Sequence, residues 1–191
     1  MSRRLPENLA HLYDAFGKES IDNIGGPAEG FEIDGIEFVC QYAPESTPER
    51  FHIVKPLDFV DWYRGIAERF RGGTIFELGI AEGGSTALLT LLAEPRKLIA
   101  IDNEPQRLEA LDEFLEARGA TDTVRPYYDV DQADADRLRE IIGAELDHEP
   151  LDLVIDDASH RYDLTRTSFE ALFPRLRPGG LYIIEDWNAD P

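Results

Sequence analysis

From residue 57 onward, short apolar runs alternate with longer segments in which apolar residues recur at helical spacing. Thr74–Ile80, Lys97–Asp102, Thr123–Tyr128, Leu151–Asp156 and Leu181–Asp186 read as strands. Three of them are nearly unbroken in apolar and β-branched residues, which marks strands buried on both faces of a parallel sheet. Between them the spacing predicts helices over Ser85–Ala93, Pro105–Arg118, Asp134–Leu146 and Tyr162–Leu176, with Leu57–Phe70 ahead of the first strand. Pro105 in the first turn and Gly119 just past the end punctuate the second of these. Trp62 and Tyr63, at helical spacing with Ile66 and Phe70, read as core. Such alternation predicts an α/β fold with a doubly wound, mostly parallel sheet.

The first 56 residues follow another pattern. Leu5–Phe16 has helical spacing, and Gly25-Gly26-Pro27 breaks the chain. Phe31–Phe38 alternates around Asp34-Gly35, the usual signal of a hairpin. Residues 41–56 contain Pro44, Pro48 and Pro56 and read as a loop or lid. The chain therefore divides into an N-terminal extension, 1–56, and a doubly wound domain, 57–191.

Charge narrows the partners. The 191 residues carry 19 Lys and Arg against 39 Asp and Glu, a formal charge of −20. So acidic a surface repels phosphate backbones, which argues against nucleic acid as a substrate. Cys40 is the single cysteine, so an intrachain disulfide and a four-cysteine zinc site are excluded. No run reaches the ~18–20 apolar residues of a membrane span, and Met1–Glu7 leads into no secretory signal. A cytoplasmic protein without membrane contact is expected.

Two groups of residues carry candidate chemistry. Phe76-Glu77-Leu78-Gly79-Ile80-Ala81-Glu82-Gly83-Gly84-Ser85 joins the first strand to its helix. Glycines there let backbone amides approach a ligand at a helix N-terminus. The spacing is neither the dinucleotide fingerprint nor a P-loop. Asp102 ends the second strand, where a carboxylate can accept ribose hydroxyls or cap the following helix. The other group is Asp156-Asp157-Ala158-Ser159-His160 after the fourth strand and Glu185-Asp186-Trp187 after the fifth. If those strands are neighbours, Asp157, Glu185 and Asp186 converge. Three carboxylates repel unless a cation sits among them, and hard oxygen donors suit Mg²⁺. Imidazole exchanges protons near neutral pH, which makes His160 a candidate base. The competing readings are helix caps and solvated strand ends. Of the other histidines, His11 and His148 read as surface residues and His52 as packing.

The Glu77-x-Gly79-x-x-x-Gly83 loop, Asp102 and the Leu176-Arg-Pro-Gly-Gly-Leu181 turn together resemble class I S-adenosylmethionine-dependent methyltransferases. Asp157-x-x-His160 with Glu185-Asp186 resembles the magnesium-dependent macrolide-sugar O-methyltransferases of the mycinamicin type. It also resembles the cephalosporin hydroxylase and rhamnosyl O-methyltransferase group. The resemblance implies a methyl donor held by Glu77, Gly79, Ala81, Gly83, Ser85, Asp102, Asp131 and Asp156, with Asp129 the rival of Asp131 at the adenine. It also implies Mg²⁺ on Asp157, Glu185 and Asp186, and His160 with Asp157 in catalysis on a small hydroxyl acceptor. Family members continue past the fifth strand with strands six and seven. The sequence stops at Pro191, so those strands are expected to be absent, and a homo-oligomer could cover the edge. The alternatives are a metal-independent small-molecule methyltransferase and a donor-binding subunit without turnover.

Overall fold

A computed structural model describes residues 29–40 and 46–187. The expected helix at Leu5–Phe16 with His11, the Gly25–Pro27 break and residues 41–45 lie outside the described residues. A small sheet is formed by β1 (Glu29–Ile33), β2 (Ile36–Cys40) and β3 (Arg50–His52). β1 and β2 make the expected hairpin, with Ile33 opposite Ile36. Its two turn residues, Asp34 and Gly35, have φ of 51° and 79°. Such a turn matches the right-handed twist of the strands and favours Asp-Gly. β3 lies within the segment expected to be loop, and it pairs parallel to β2.

The main sheet is built from β4 (Thr74–Leu78), β5 (Lys97–Ile101), β6 (Val124–Tyr127), β7 (Leu151–Asp156) and β8 (Leu176–Ile184). The order is β6-β5-β4-β7-β8 and every pairing is parallel. Connecting helices are α1 (Leu57–Arg69), α2 (Gly84–Ala93), α3 (Glu109–Ala117), α4 (Ala135–Leu146) and α5 (Tyr162–Leu172). α1, α2, α3 and the small sheet share one hydrophobic cluster with Ile75, Leu98, Ala100, Leu153 and Ile155. α4 and α5 pack on the opposite face against Phe76, Leu78, Ile99, Ile101 and Val154. Successive strand residues point to opposite faces, so a sheet covered on both sides needs unbroken apolar strands. β4 is accordingly buried at every position.

Four details differ from the sequence expectation. α3 begins at Glu109, not at Pro105, but its end is as foreseen. Gly119 at φ 63° donates to Glu116 O, and Ala120 N–H reaches back to Leu115 O, a Schellman closure. Pro174 ends α5 early, turning Phe173–Arg175 into a 3₁₀ turn. The Arg177–Gly180 turn is a bulge inside β8: Leu151 faces Leu176 while Leu153 faces Leu181. Trp62 is 46% exposed whereas Tyr63 is fully buried. Adjacent helical residues point ~100° apart, so the two cannot share the core face.

The expected absence of strands beyond the fifth is not confirmed: the domain's fifth strand is β8, and the described residues end at Trp187, just past it. No antiparallel strand flanks β8 among the described residues. No described helix is long and apolar enough to cross a membrane.

Candidate active site

The strand order reverses at β4, with β5 on one side and β7 on the other, and both groups of candidate residues lie at this carboxyl end. Ligands of open α/β sheets bind at such switch points. Gly79 leaves β4 at φ 97°, and a Cβ there would lie 2.3 Å from the carbonyl oxygen of Asp157. Only glycine allows the loop after β7 to pass so close. Gly83, at φ 78°, forms the N-cap of α2. Asp102 braces the same loop: its Oδ2 accepts from the amides of Ile80 and Ala81, each at 2.8 Å. Its Oδ1 accepts from Glu104 N at 2.8 Å. The alternative role as a helix cap is not realised, since α3 starts seven residues further on.

Other expected donor residues sit deeper. Glu77 is 1% exposed and accepts from the Thr86 hydroxyl at 2.6 Å. Burial pushes its carboxyl up to about 7, against the pull of hydroxyl bonds from Ser85 and Thr86. Asp156 is 2% exposed and accepts from Ser168 at 2.7 Å and from the Gln132 amide at 3.1 Å. Burial raises its pKa too. Asp131 is exposed, and its Oδ1 accepts from Ala133 N in a local turn. Asp129 enters that turn at φ 58°.

β7 and β8 are neighbours, with Asp156 opposite Ile184, so their tips do converge. Asp157, His160 and Asp186 each present one ligand atom within 4.8 Å of the others. His160 Nε2 is 3.9 Å from Asp157 Oδ1. His160 and Asp186 have φ of 57° and 46°, a left-handed backbone that non-glycine residues hold at some cost. Two carboxylates and an imidazole form a donor set that suits a divalent cation such as Mg²⁺ or Mn²⁺.

Glu185 is placed differently from its expected position among the ligands. It is 5% exposed, and its Oε2 meets Lys55 Nζ at 2.5 Å while Oε1 accepts from the Tyr63 hydroxyl. Lys55 Nζ also contacts Asp157 Oδ2 at 2.6 Å. Burial works against the Lys55 charge, yet the pairs with Asp157 and Glu185 outweigh it and hold its pKa above the ordinary value. Burial and the Asp157 charge together raise the pKa of Glu185, with Lys55 opposing.

Residues 76–187 match the family described as "Methyltransferase domain". The chain belongs to that family. Curated relatives of the domain include mycinamicin VI 2''-O-methyltransferase of Micromonospora griseorubida, 55% identical over 31% of this chain and 14% of that protein. Demethylmacrocin O-methyltransferase of Streptomyces fradiae is 44% identical over 32% of this chain and 18% of its own. Among solved structures, the MycE methyltransferase of the mycinamycin pathway, in complex with Mg, S-adenosylhomocysteine and mycinamycin VI, aligns with a TM-score of 0.53. That alignment has 31% identity and covers 66% of this chain and 32% of the other. The chain thus spans less than a fifth of the two curated relatives' length.

Reading the sequence of this methyltransferase domain missed Lys55, Tyr63 and Gln132 as polar parts of the site. Gln132 is 4% exposed; its amide nitrogen binds Asp156 and its oxygen accepts from Ser159 N at 2.9 Å. Lys55 is one of three lysines in an acidic chain, and that rarity was the available signal. His52 is buried as expected and His148 is on the surface. A surface cleft of about 580 Å³ runs along the β6 edge, lined by Arg107, Tyr127 and Tyr128 among others, and includes none of the acidic cluster.

Proposed function

We propose that residues 57–191 form the donor-binding part of an S-adenosylmethionine-dependent O-methyltransferase acting on a sugar hydroxyl of a natural product. Residues 1–56 are its N-terminal extension. Membership of the methyltransferase family supports the donor, and the macrolide acceptors named for the relatives support the acceptor class. The observation that carries the reading is the grouping of Asp157, His160 and Asp186 beside Gly79.

Gly79, Ala81, Gly83 and Ser85 would surround the methionyl part of the donor. Asp102 would accept the ribose and Asp131 would approach the adenine, while Glu77 and Asp156 would support the loops from below. Asp157 and Asp186 would hold Mg²⁺, joined by Glu185 once Lys55 releases it. The ion would supply positive charge that lowers the basicity of the acceptor oxygen. His160 takes the hydroxyl proton as the oxygen–methyl bond forms and the methyl–sulfur bond breaks, leaving S-adenosylhomocysteine. The protein contributes alignment of oxygen, carbon and sulfur in one line.

The test is methyl transfer from S-adenosylmethionine to demethylated macrolide sugars, with and without EDTA. Activity lost on chelation and restored by Mg²⁺ is the expected result. Transfer indifferent to EDTA rejects the metal, and no transfer to any hydroxyl acceptor rejects the reaction.

A further inference from the structure

The segment from Ser46 to Lys55 forms a strap running from the start of α2 to the tips of β7 and β8. The Ser46 hydroxyl donates to Glu82 O at 2.8 Å and accepts from His52 N at 3.1 Å. A Cβ on Gly84 would lie 2.3 Å from His52 O, so the strap lies directly on the start of α2. Ile53 N–H ties it to Val39 O of β2. Its far end delivers Lys55, whose side chain is 7% exposed, between Asp157 and Glu185. The ammonium also lies 5.1 Å from the Tyr63 ring centroid and 5.7 Å from that of Phe59.

We propose that Lys55 is the resident counter-ion of the acidic cluster, competing with a divalent cation for Asp157 and Glu185 and so coupling cation binding to release of the strap. The inference rests on the metal reading above. Asp157 is shared: Oδ2 faces Lys55 and Oδ1 faces His160. A divalent ion on that carboxylate would sit within a few ångströms of the ammonium, and the two cations repel. Three carboxylates and one ammonium sum to −2, so a divalent ion meets a weaker attraction while Lys55 is present than it would without it. Removing the ammonium leaves the cluster at −3 and removes the competitor.

Mn²⁺ binding, followed by electron paramagnetic resonance and calorimetry, tests this on the full chain. Lys55→Met should bind Mn²⁺ at least about tenfold more tightly than the wild type, and charge-preserving Lys55→Arg should stay within about threefold. Without Mn²⁺ the Met variant should melt lower, and Mn²⁺ should raise its Tm more than that of the wild type. In the wild type, whose folding is not in question, Mn²⁺ should speed hydrogen exchange at the His52 and Ile53 amides. Equal or weaker binding by Lys55→Met, or protection of those amides, overturns the coupling while leaving the metal site standing. Failure of all three proteins to bind Mn²⁺ overturns both.

Discussion

Gly79 and Asp157 touch backbone to backbone: a Cβ on the glycine would lie 2.3 Å from the aspartate's carbonyl oxygen. Asp157 N–H donates to Leu78 O at 2.9 Å just beside this contact. The glycine loop and the acidic cluster are therefore packed directly against each other. Gly79→Ala should cost about 3 kcal/mol or more, because it adds a backbone clash to a φ of 97° that alanine resists. Urea denaturation measures it. A midpoint equal to that of the wild type would mean that the two loops are not packed as described.

Glu77 makes folding pH-dependent. Its carboxyl is raised from 4.5 to about 7 by burial, so the native state holds a proton that the unfolded chain has lost. A raised acid favours the fold least when ionised. Its contribution is intact below pH 4.5 and is lost as pH rises toward 7. Glu77→Gln removes that titration, so the stability gap between variant and wild type should shift in the variant's favour by about 3 kcal/mol across the window and level off above it. Chemical denaturation between pH 4 and pH 8 reads the gap. A gap that stays constant with pH would show Glu77 titrating as an ordinary exposed acid.

How much of this was legible in the sequence depends on where the information resides. β4, β5 and β7 were readable because burial on both faces demands unbroken apolar residues, and the Asp34-Gly35 hairpin because its turn demands particular backbone angles. The convergence of Asp157 with Asp186 followed once β7 and β8 were assumed adjacent. Lys55 did not follow, since its partners lie 102 and 130 residues away and no local pattern encodes such a distance. β3 was hidden by prolines at 48 and 56 and is only three residues long. Gln132 stands among Asp129, Asp131 and Asp134, and only the tertiary fold shows that it turns inward to Asp156.

That inward turn yields a third expectation. Gln132 is the strut between buried Asp156 and the Ser159 amide. Gln132→Leu keeps the bulk but strips the amide bond from Asp156 and leaves Ser159 N–H without its acceptor, which should cost about 2 kcal/mol. Because Ser159 lies between Asp157 and His160, the loss should also weaken Mn²⁺ binding. Unchanged melting together with unchanged Mn²⁺ affinity would remove Gln132 from the support of this loop.

His160 provides the sharpest separation between chemistry and scaffold. Its left-handed φ of 57° means that His160→Ala would confound loss of the proposed base with backbone strain. His160→Asn is the better variant, because asparagine tolerates that conformation and remains polar while offering no proton acceptor of comparable basicity. Removing a general base typically costs 10²–10⁴-fold in rate, so turnover should fall by about that factor. S-adenosylhomocysteine affinity, measured by calorimetry, should stay within about twofold, since the proposed donor loop is built from other residues. If His160 were instead chiefly a metal ligand, Mn²⁺ affinity would fall together with turnover, and excess Mn²⁺ would restore the rate. A variant that turns over like the wild type would exclude His160 from proton transfer.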